Sequence, residues 1–234
     1  MRRMRILLAA LLVAGALAPP ATGDPLNGAA WCTDLVGGSP RIDVLGDSIS
    51  TGDAVATVAY RWHTMLGDSL RTDGAPGVEV WIGGAIDGSA VADYLPGAPY
   101  ANHIEFTVHH PSLITLGWGI NDWLRDTPIA TFTAQYQQVI DRIRVLSPDS
   151  TLLFVHSPWV YNAMFVAAHG DQHPYLDAIK ALAIANHAAF LGLEWGFPGD
   201  NRLNTSTPDL VHLNAAGQAI QYAMARSTVL AMCG

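Results

Sequence analysis

A single lysine, Lys180, serves the whole 234-residue chain, and charged residues of either sign make up only 14% of it. Beyond Arg2, Arg3 and Arg5 no basic cluster relieves the acidic balance, a formal net charge of −8. Nucleic acids and anionic membrane surfaces both need neutralising cations, so neither is expected as a partner. Cysteine is also scarce: Cys32 and Cys233 are the only two, with no CxxC pair and no neighbouring histidine. That argues against a metal centre built on thiolates and against thiol catalysis. No apolar run reaches the roughly 20 residues of a membrane-spanning helix. Internal repeats, low-complexity tracts and dividing linkers are lacking too. Half of the residues are hydrophobic, which argues against disorder, and the 22 glycines and 14 prolines follow no collagen-like period. One domain over residues 24–234 is expected.

The N-terminus has the pattern of an export signal. Arg2, Arg3 and Arg5 precede an apolar run of 13 residues, Ile6–Ala18, and Ala21-Thr22-Gly23 offers small residues for cleavage after Gly23. A cut after Ala18 would leave Pro19 and Pro20 at the scissile bond. Removing residues 1–23 takes away three arginines and no acid, so the charge falls from −8 to −11. A secreted or extracytoplasmic location follows as an expectation. In an oxidising compartment the simplest reading of Cys32 and Cys233 is a disulfide tying the ends of the mature chain; two free thiols are the alternative.

Hydrophobic periodicity predicts alternating strands and helices. Strands are expected near Arg41–Leu45, Val78–Ile82, Leu113–Leu116, Leu152–Val155 and Leu191–Trp195. A helix with Val55, Val58, Trp62, Met65, Leu66 and Leu70 on one face follows the first strand. A short helix spans Ala90–Tyr94. Another follows Pro128 and buries Phe132, Tyr136, Val139, Ile140 and Ile143. A further helix opens at Pro174 and buries Leu176, Ile179, Ala183 and Phe190. The last runs from Asn214 to Leu230. Asp24–Ser39, with its proline and glycines, is expected to be an irregular arm anchored by Cys32. The alternation implies βαβ units and a parallel sheet covered on both faces.

Four segments carry chemistry. In Gly46-Asp47-Ser48 a serine follows a strand at a glycine break, which presents its hydroxyl at the C-terminal edge of the sheet. Asp209-Leu210-Val211-His212 places a carboxylate and an imidazole three residues apart, so that Asp209 can fix the tautomer of His212. Gly119-Ile120-Asn121-Asp122 follows the third strand and offers an amide N–H to a developing oxyanion. Gly83-Gly84-Ala85-Ile86-Asp87-Gly88-Ser89 follows the second strand, where a glycine admits close approach to a backbone N–H. Taken singly, each is ordinary turn or capping chemistry.

Together, in this order, the segments resemble the SGNH hydrolases, or GDSL esterases/lipases, named for Ser, Gly, Asn and His. The match departs at Ile49, where the GDSL name has leucine. The glycine block aligns through Gly88-Ser89-Ala90-Val91-Ala92-Asp93, with Gly84 as a rival. The resemblance implies a three-layer α/β/α sandwich around a five-stranded flavodoxin-like parallel sheet. It implies Ser48 as nucleophile, His212 as general base and then acid, and Asp209 as the orienting carboxylate. The Ser48 and Gly88 N–H groups and the Asn121 side chain would form the oxyanion hole. Ser50 is the rival nucleophile. No cofactor and no metal is implied, although His169 and His173 have i, i+4 spacing and His109-His110 stand together. The expected activity is hydrolysis of carboxylic esters by a monomer: short acyl or acetyl esters, including those on polysaccharides, with lipid esters as a further option. Acyl transfer to a sugar hydroxyl is the alternative on the same machinery. A carbohydrate- or cell-wall-binding protein with a vestigial triad is the alternative from another class. Trp118, Trp123, Trp159 and Tyr161 either line the substrate site or belong to the core.

Overall fold

The computed structural model describes residues 28–104, 110–197 and 202–233. The expected signal peptide and His109 lie outside them. Five strands, β1 (Arg41–Gly46), β2 (Glu79–Ala85), β3 (Leu113–Gly117), β4 (Thr151–His156) and β5 (Ala189–Gly192), form an all-parallel sheet in the order β2-β1-β3-β4-β5. The helices are α1 (Ala29–Val36), α2 (Ser48–Thr51), α3 (Trp62–Thr72), α4 (Ile120–Leu124), α5 (Ile129–Leu146), α6 (Ala163–His169), α7 (His173–Ala185), α8 (Arg202–Thr205) and α9 (Ala215–Ala231).

The layers follow from strand alternation. Thr115, Leu153, Val155 and Leu191 face Trp62 and Leu66 of α3 and Ala225 and Val229 of α9. On the opposite face, Tyr136 of α5 lies against Phe154, with ring centroids 5.6 Å apart. Helix α3 packs on α9 and α5 on α7, which completes the expected three-layer α/β/α sandwich. All five residues of the expected α5 stripe are buried. Each such side chain contributes roughly 1.5–3 kcal/mol when removed from water. This strand order reverses between β1 and β3, the crevice where open α/β sheets place their ligands.

Three elements depart from expectation. Asp24–Ser39 is not irregular throughout, because α1 forms within it. So short a helix is not stable alone; it is held by docking. Trp31 is fully buried and its Nε1 donates to the Val229 carbonyl at 2.8 Å. The disulfide Cys32–Cys233 joins α1 to the residues after α9, with Cα atoms 5.3 Å apart.

The helix expected through Val55 and Val58 is interrupted. Gly52 takes a left-handed conformation (φ 66°) and ends α2. An Asp53–Arg61 ion pair and a bond from Arg61 Nε to the Val55 carbonyl (3.0 Å) then close a loop. Helix α3 begins only at Trp62, and Val58 is 55% exposed.

Phe190 belongs to β5 and not to the preceding helix. Helix α7 stops at Ala185, where Asn186 Nδ2 donates back to the Leu182 carbonyl at 2.8 Å. The fifth strand accordingly starts earlier than the expected Leu191. Among the described residues, no helix is long and apolar enough to cross a membrane.

Candidate active site

The site assembles from the C-terminal ends of three adjacent strands. Strand β1 ends at Gly46, which has φ 149°. A Cβ there would collide with the Gly117 carbonyl of β3 and the Ser50 side chain, so only glycine permits the turn. Asp47 then caps α2, its Oδ1 accepting the Ile49 N–H at 2.9 Å. Ser48 is the first helical residue. Its N–H is among those a helix start leaves without an intrahelical acceptor.

The Asp209–His212 turn meets Ser48 from the other end of the sequence. His212 Nε2 lies 2.9 Å from Ser48 Oγ, and His212 Nδ1 lies 2.7 Å from Asp209 Oδ2. Asp209 Oδ1 accepts from the Val211 N–H (2.9 Å), the His212 N–H (3.0 Å) and the Thr207 hydroxyl (2.6 Å). Partial burial works to raise the Asp209 carboxyl. The bonds from His212, Thr207 and the two amides outweigh it and hold the group well below the usual carboxylate range. So held, the Asp209 carboxylate keeps its charge at neutral pH and lies where it can orient the imidazole.

The glycine-rich segment after β2 lies beside Ser48. Gly84 is a strand residue: it pairs with Leu45, and its carbonyl accepts from the Tyr94 hydroxyl at 2.9 Å. Gly88 is in the turn beyond, left-handed at φ 73°, with open space where a Cβ would be. Asn121 stands in the first turn of α4, after β3, and its Nδ2 donates to the Ser89 carbonyl at 3.0 Å. Ser50 points away from this cluster, its hydroxyl donating to the Gly117 carbonyl.

Two buried carboxyls lie beneath the site. Burial pushes Asp47 up to about 8, opposed by the Ile49 N–H and reinforced by Asp122 and Asp87. Burial likewise pushes Asp122 up to about 7, opposed by the Val91 N–H and by Arg125. The aromatic residues separate by depth. Trp118 and Trp123 are core, at 2% and 1% exposure, whereas Tyr161 is 38% exposed beside the Asp209–His212 turn. Its N–H donates to the Leu210 carbonyl at 3.2 Å.

Among the described residues, no group of three or more His, Cys, Asp and Glu is disposed to hold a metal ion. His169 is bonded to Asp126 and His173 to Asp171. Sequence reasoning missed Asn162, Thr207 and Arg125. Asn162 is visible in sequence only as a candidate helix cap, and its second bond, from Nδ2 to the Asp209 carbonyl (3.0 Å), depends on a contact 47 residues away.

A family model described as the GDSL-like Lipase/Acylhydrolase family matches residues 44–220, well over half of the chain. The chain belongs to that family, the serine ester hydrolases of the SGNH type. A search of the curated proteins finds no match. Among solved structures, the chain is similar to a two-domain esterase active on acetylated mannans, at 15% identity and a TM-score of 0.65, covering 88% of this chain and 53% of that one. This GDSL-like chain thus spans about half the length of that esterase. It is also similar to an acetylxylan esterase from Geobacillus stearothermophilus, at 16% identity and a TM-score of 0.64, covering 81% of this chain and 94% of that one. A third likeness is to the psychrotrophic esterase EstA from Pseudoalteromonas sp., at 14% identity and a TM-score of 0.63, covering 82% and 98%. At these identities the likeness concerns the fold.

Proposed function

We propose that this protein is an exported esterase that hydrolyses short acyl esters, acetyl groups on carbohydrates foremost, through an acyl-Ser48 intermediate. The continuous chain of hydrogen bonds from Asp209 through His212 to Ser48 carries the reading. His212 Nε2 takes the Ser48 proton as Oγ attacks the ester carbonyl, and returns it to the departing alkoxide. Asp209 holds the imidazole in the productive tautomer and stabilises the imidazolium. The Ser48 and Gly88 N–H groups and Asn121 Nδ2 stabilise the oxyanion. Loss of one such donor typically costs about 100- to 1,000-fold in turnover. Water then attacks the acyl-enzyme by the same route.

The short acyl group is supported by the packing beneath the loops. Tyr94 donates to the Gly46 and Gly84 carbonyls, and Trp118 abuts it with ring centroids 4.6 Å apart, so large rings fill the space under the strand ends. The carbohydrate alcohol is supported by the structural likeness to enzymes acting on acetylated mannans and xylan. Export is supported by the basic and apolar N-terminal pattern and by the Cys32–Cys233 bridge. The enzyme is read as a single catalytic domain over residues 24–234, acting as a monomer.

The test is a panel of p-nitrophenyl esters of increasing chain length and of acetylated oligosaccharides, run with wild type and Ser48→Ala. Turnover that is greatest for acetyl esters and lost in the variant is expected. Absence of turnover on every ester, or equal turnover by Ser48→Ala, overturns the reading.

A further inference from the structure

Gly88 is exposed at the tip of its turn, between the part-buried Ile86 and the buried Ser89. Nothing lies within 4 Å of where a Gly88 Cβ would be. A glycine in a left-handed turn with open space around it has a wide choice of conformations. An oxyanion donor needs the opposite, because its N–H must already be aimed when charge develops.

Polar ties restrain it, beginning with the turn's own bond from the Ser89 N–H to the Ile86 carbonyl at 3.1 Å. On the near side, the Asp87 carboxylate accepts from the Thr51 hydroxyl of α2 at 2.7 Å, linking the turn to the helix that begins at Ser48. The Ile86 N–H and the Ser89 hydroxyl both donate to the Gly46 carbonyl, at 2.9 and 3.0 Å. On the outer side stands Arg125. Its Nη2 donates to the Gly88 carbonyl at 2.7 Å and lies 3.0 Å from Asp93 Oδ2, while Nη1 reaches Asp93 Oδ1 at 3.2 Å. Asp93 Oδ2 in turn accepts the Ala90 N–H at 2.8 Å, so the fork of Arg125 grips the segment at two points. Arg125 lies four residues after Asn121 across α4, on the same helix face. One short helix thus sends two side chains to successive peptides, Asn121 to the Ser89 carbonyl and Arg125 to the Gly88 carbonyl.

We propose that Arg125 is a positioning residue for ester hydrolysis, fixing the peptide after Gly88 so that the Gly88 N–H stays directed at the developing oxyanion. The inference rests on the proposed function above. With the Asp87 side chain tied to α2 and the Gly88 carbonyl tied to Arg125, the turn is restrained on both sides of Gly88. Without the guanidinium the peptide after Gly88 keeps only its Ser89 N–H bond to the Ile86 carbonyl, and the Gly88 N–H strays more widely from its aim. The role needs a planar fork that donates in two directions, which lysine does not provide.

The experiment compares wild type, Arg125→Lys and Arg125→Ala by steady-state kinetics on p-nitrophenyl acetate and by amide hydrogen exchange over residues 86–91. Misplacing one catalytic group by about 1 Å can cost about 100-fold. We expect kcat to fall by roughly 10- to 100-fold in Arg125→Ala, KM to stay near the wild-type value, and Arg125→Lys to lie between. Exchange in residues 86–91 should quicken in Arg125→Ala while the strand amides keep their protection. Added guanidinium ion should restore part of the lost kcat in Arg125→Ala and none in Arg125→Lys. Unchanged kcat, or a rise in KM at constant kcat, would overturn the assignment. So would a kcat loss accompanied by faster exchange throughout the strands and no rescue. A wild-type protein without esterase turnover would refute the proposed function instead, and the exchange comparison would still decide whether Arg125 orders the turn.

Discussion

Asn162 holds two structures at once: its Oδ1 caps α6 by accepting the Met164 N–H at 3.0 Å, and its Nδ2 donates to the Asp209 carbonyl at 3.0 Å. The second bond steadies the turn that carries Asp209 and His212. Leu210 adopts a left-handed conformation there (φ 56°), which a non-glycine residue takes only at a cost. Two substitutions separate the roles. Asn162→Ala loses both bonds and should lower stability by about 1 kcal/mol as well as lowering kcat. Asn162→Asp keeps the cap acceptor but sets a carboxylate against the Asp209 carbonyl. It should keep the melting temperature and still lose kcat. Wild-type kcat in Asn162→Asp would show that the tether does not matter to the reaction.

The buried carboxyls predict how stability varies with pH. Asp47, pushed up to about 8, and Asp122, pushed up to about 7, both lie well above an unfolded aspartate. The folded protein therefore binds more protons than the unfolded chain between these values and about pH 4. The contribution is full below the unfolded pKa and is lost as pH rises through the folded one, at up to about 1.4 kcal/mol per pH unit for each carboxyl. The melting temperature should fall from about pH 4.5 to 8 and level off above. Asn at position 47 can still accept the Ile49 N–H without acquiring charge, so Asp47→Asn should flatten that fall. Parallel profiles for wild type and variant would contradict the assignment.

The Cys32–Cys233 bridge joins elements that supply no residue to the site, and its sequence separation is 201 residues. The chain-entropy model gives such a loop on the order of 5 kcal/mol as an upper figure. Reduction, or a Cys32→Ser/Cys233→Ser double variant, should lower the melting temperature and leave kcat at permissive temperature unchanged. A fall in kcat without a fall in stability would tie the bridge to the site.

Much of this was legible in the sequence because the strands are short, apolar and each followed by a chemically marked turn. Gly46-Asp47-Ser48, Gly119-Ile120-Asn121 and Asp209–His212 announce themselves by residue type, and the sheet brings them together. Helix α1 was not legible: its stability comes from Trp31 docking on Val229 and from the bridge, both contacts about 200 residues distant in sequence. The loop between α2 and α3 is hidden in the sequence, because Val55 and Val58 keep helical spacing while Gly52 has already ended the helix. Phe190 fits the end of a helical stripe and a strand equally well, and its place in β5 depends on α7 stopping at Ala185. Arg125 carries no signal in the sequence, because the carbonyl it grips lies 37 residues away and only the fold brings the two together.

The coupling of Ser48 to His212 is tested most directly with a fluorophosphonate, which reacts with an activated serine and not with an ordinary hydroxyl. Labelling followed by peptide mass analysis should place one adduct on Ser48 in the wild-type protein and none in His212→Ala. Equal labelling of Ser48 in that variant, or an adduct on a different residue, would contradict the account.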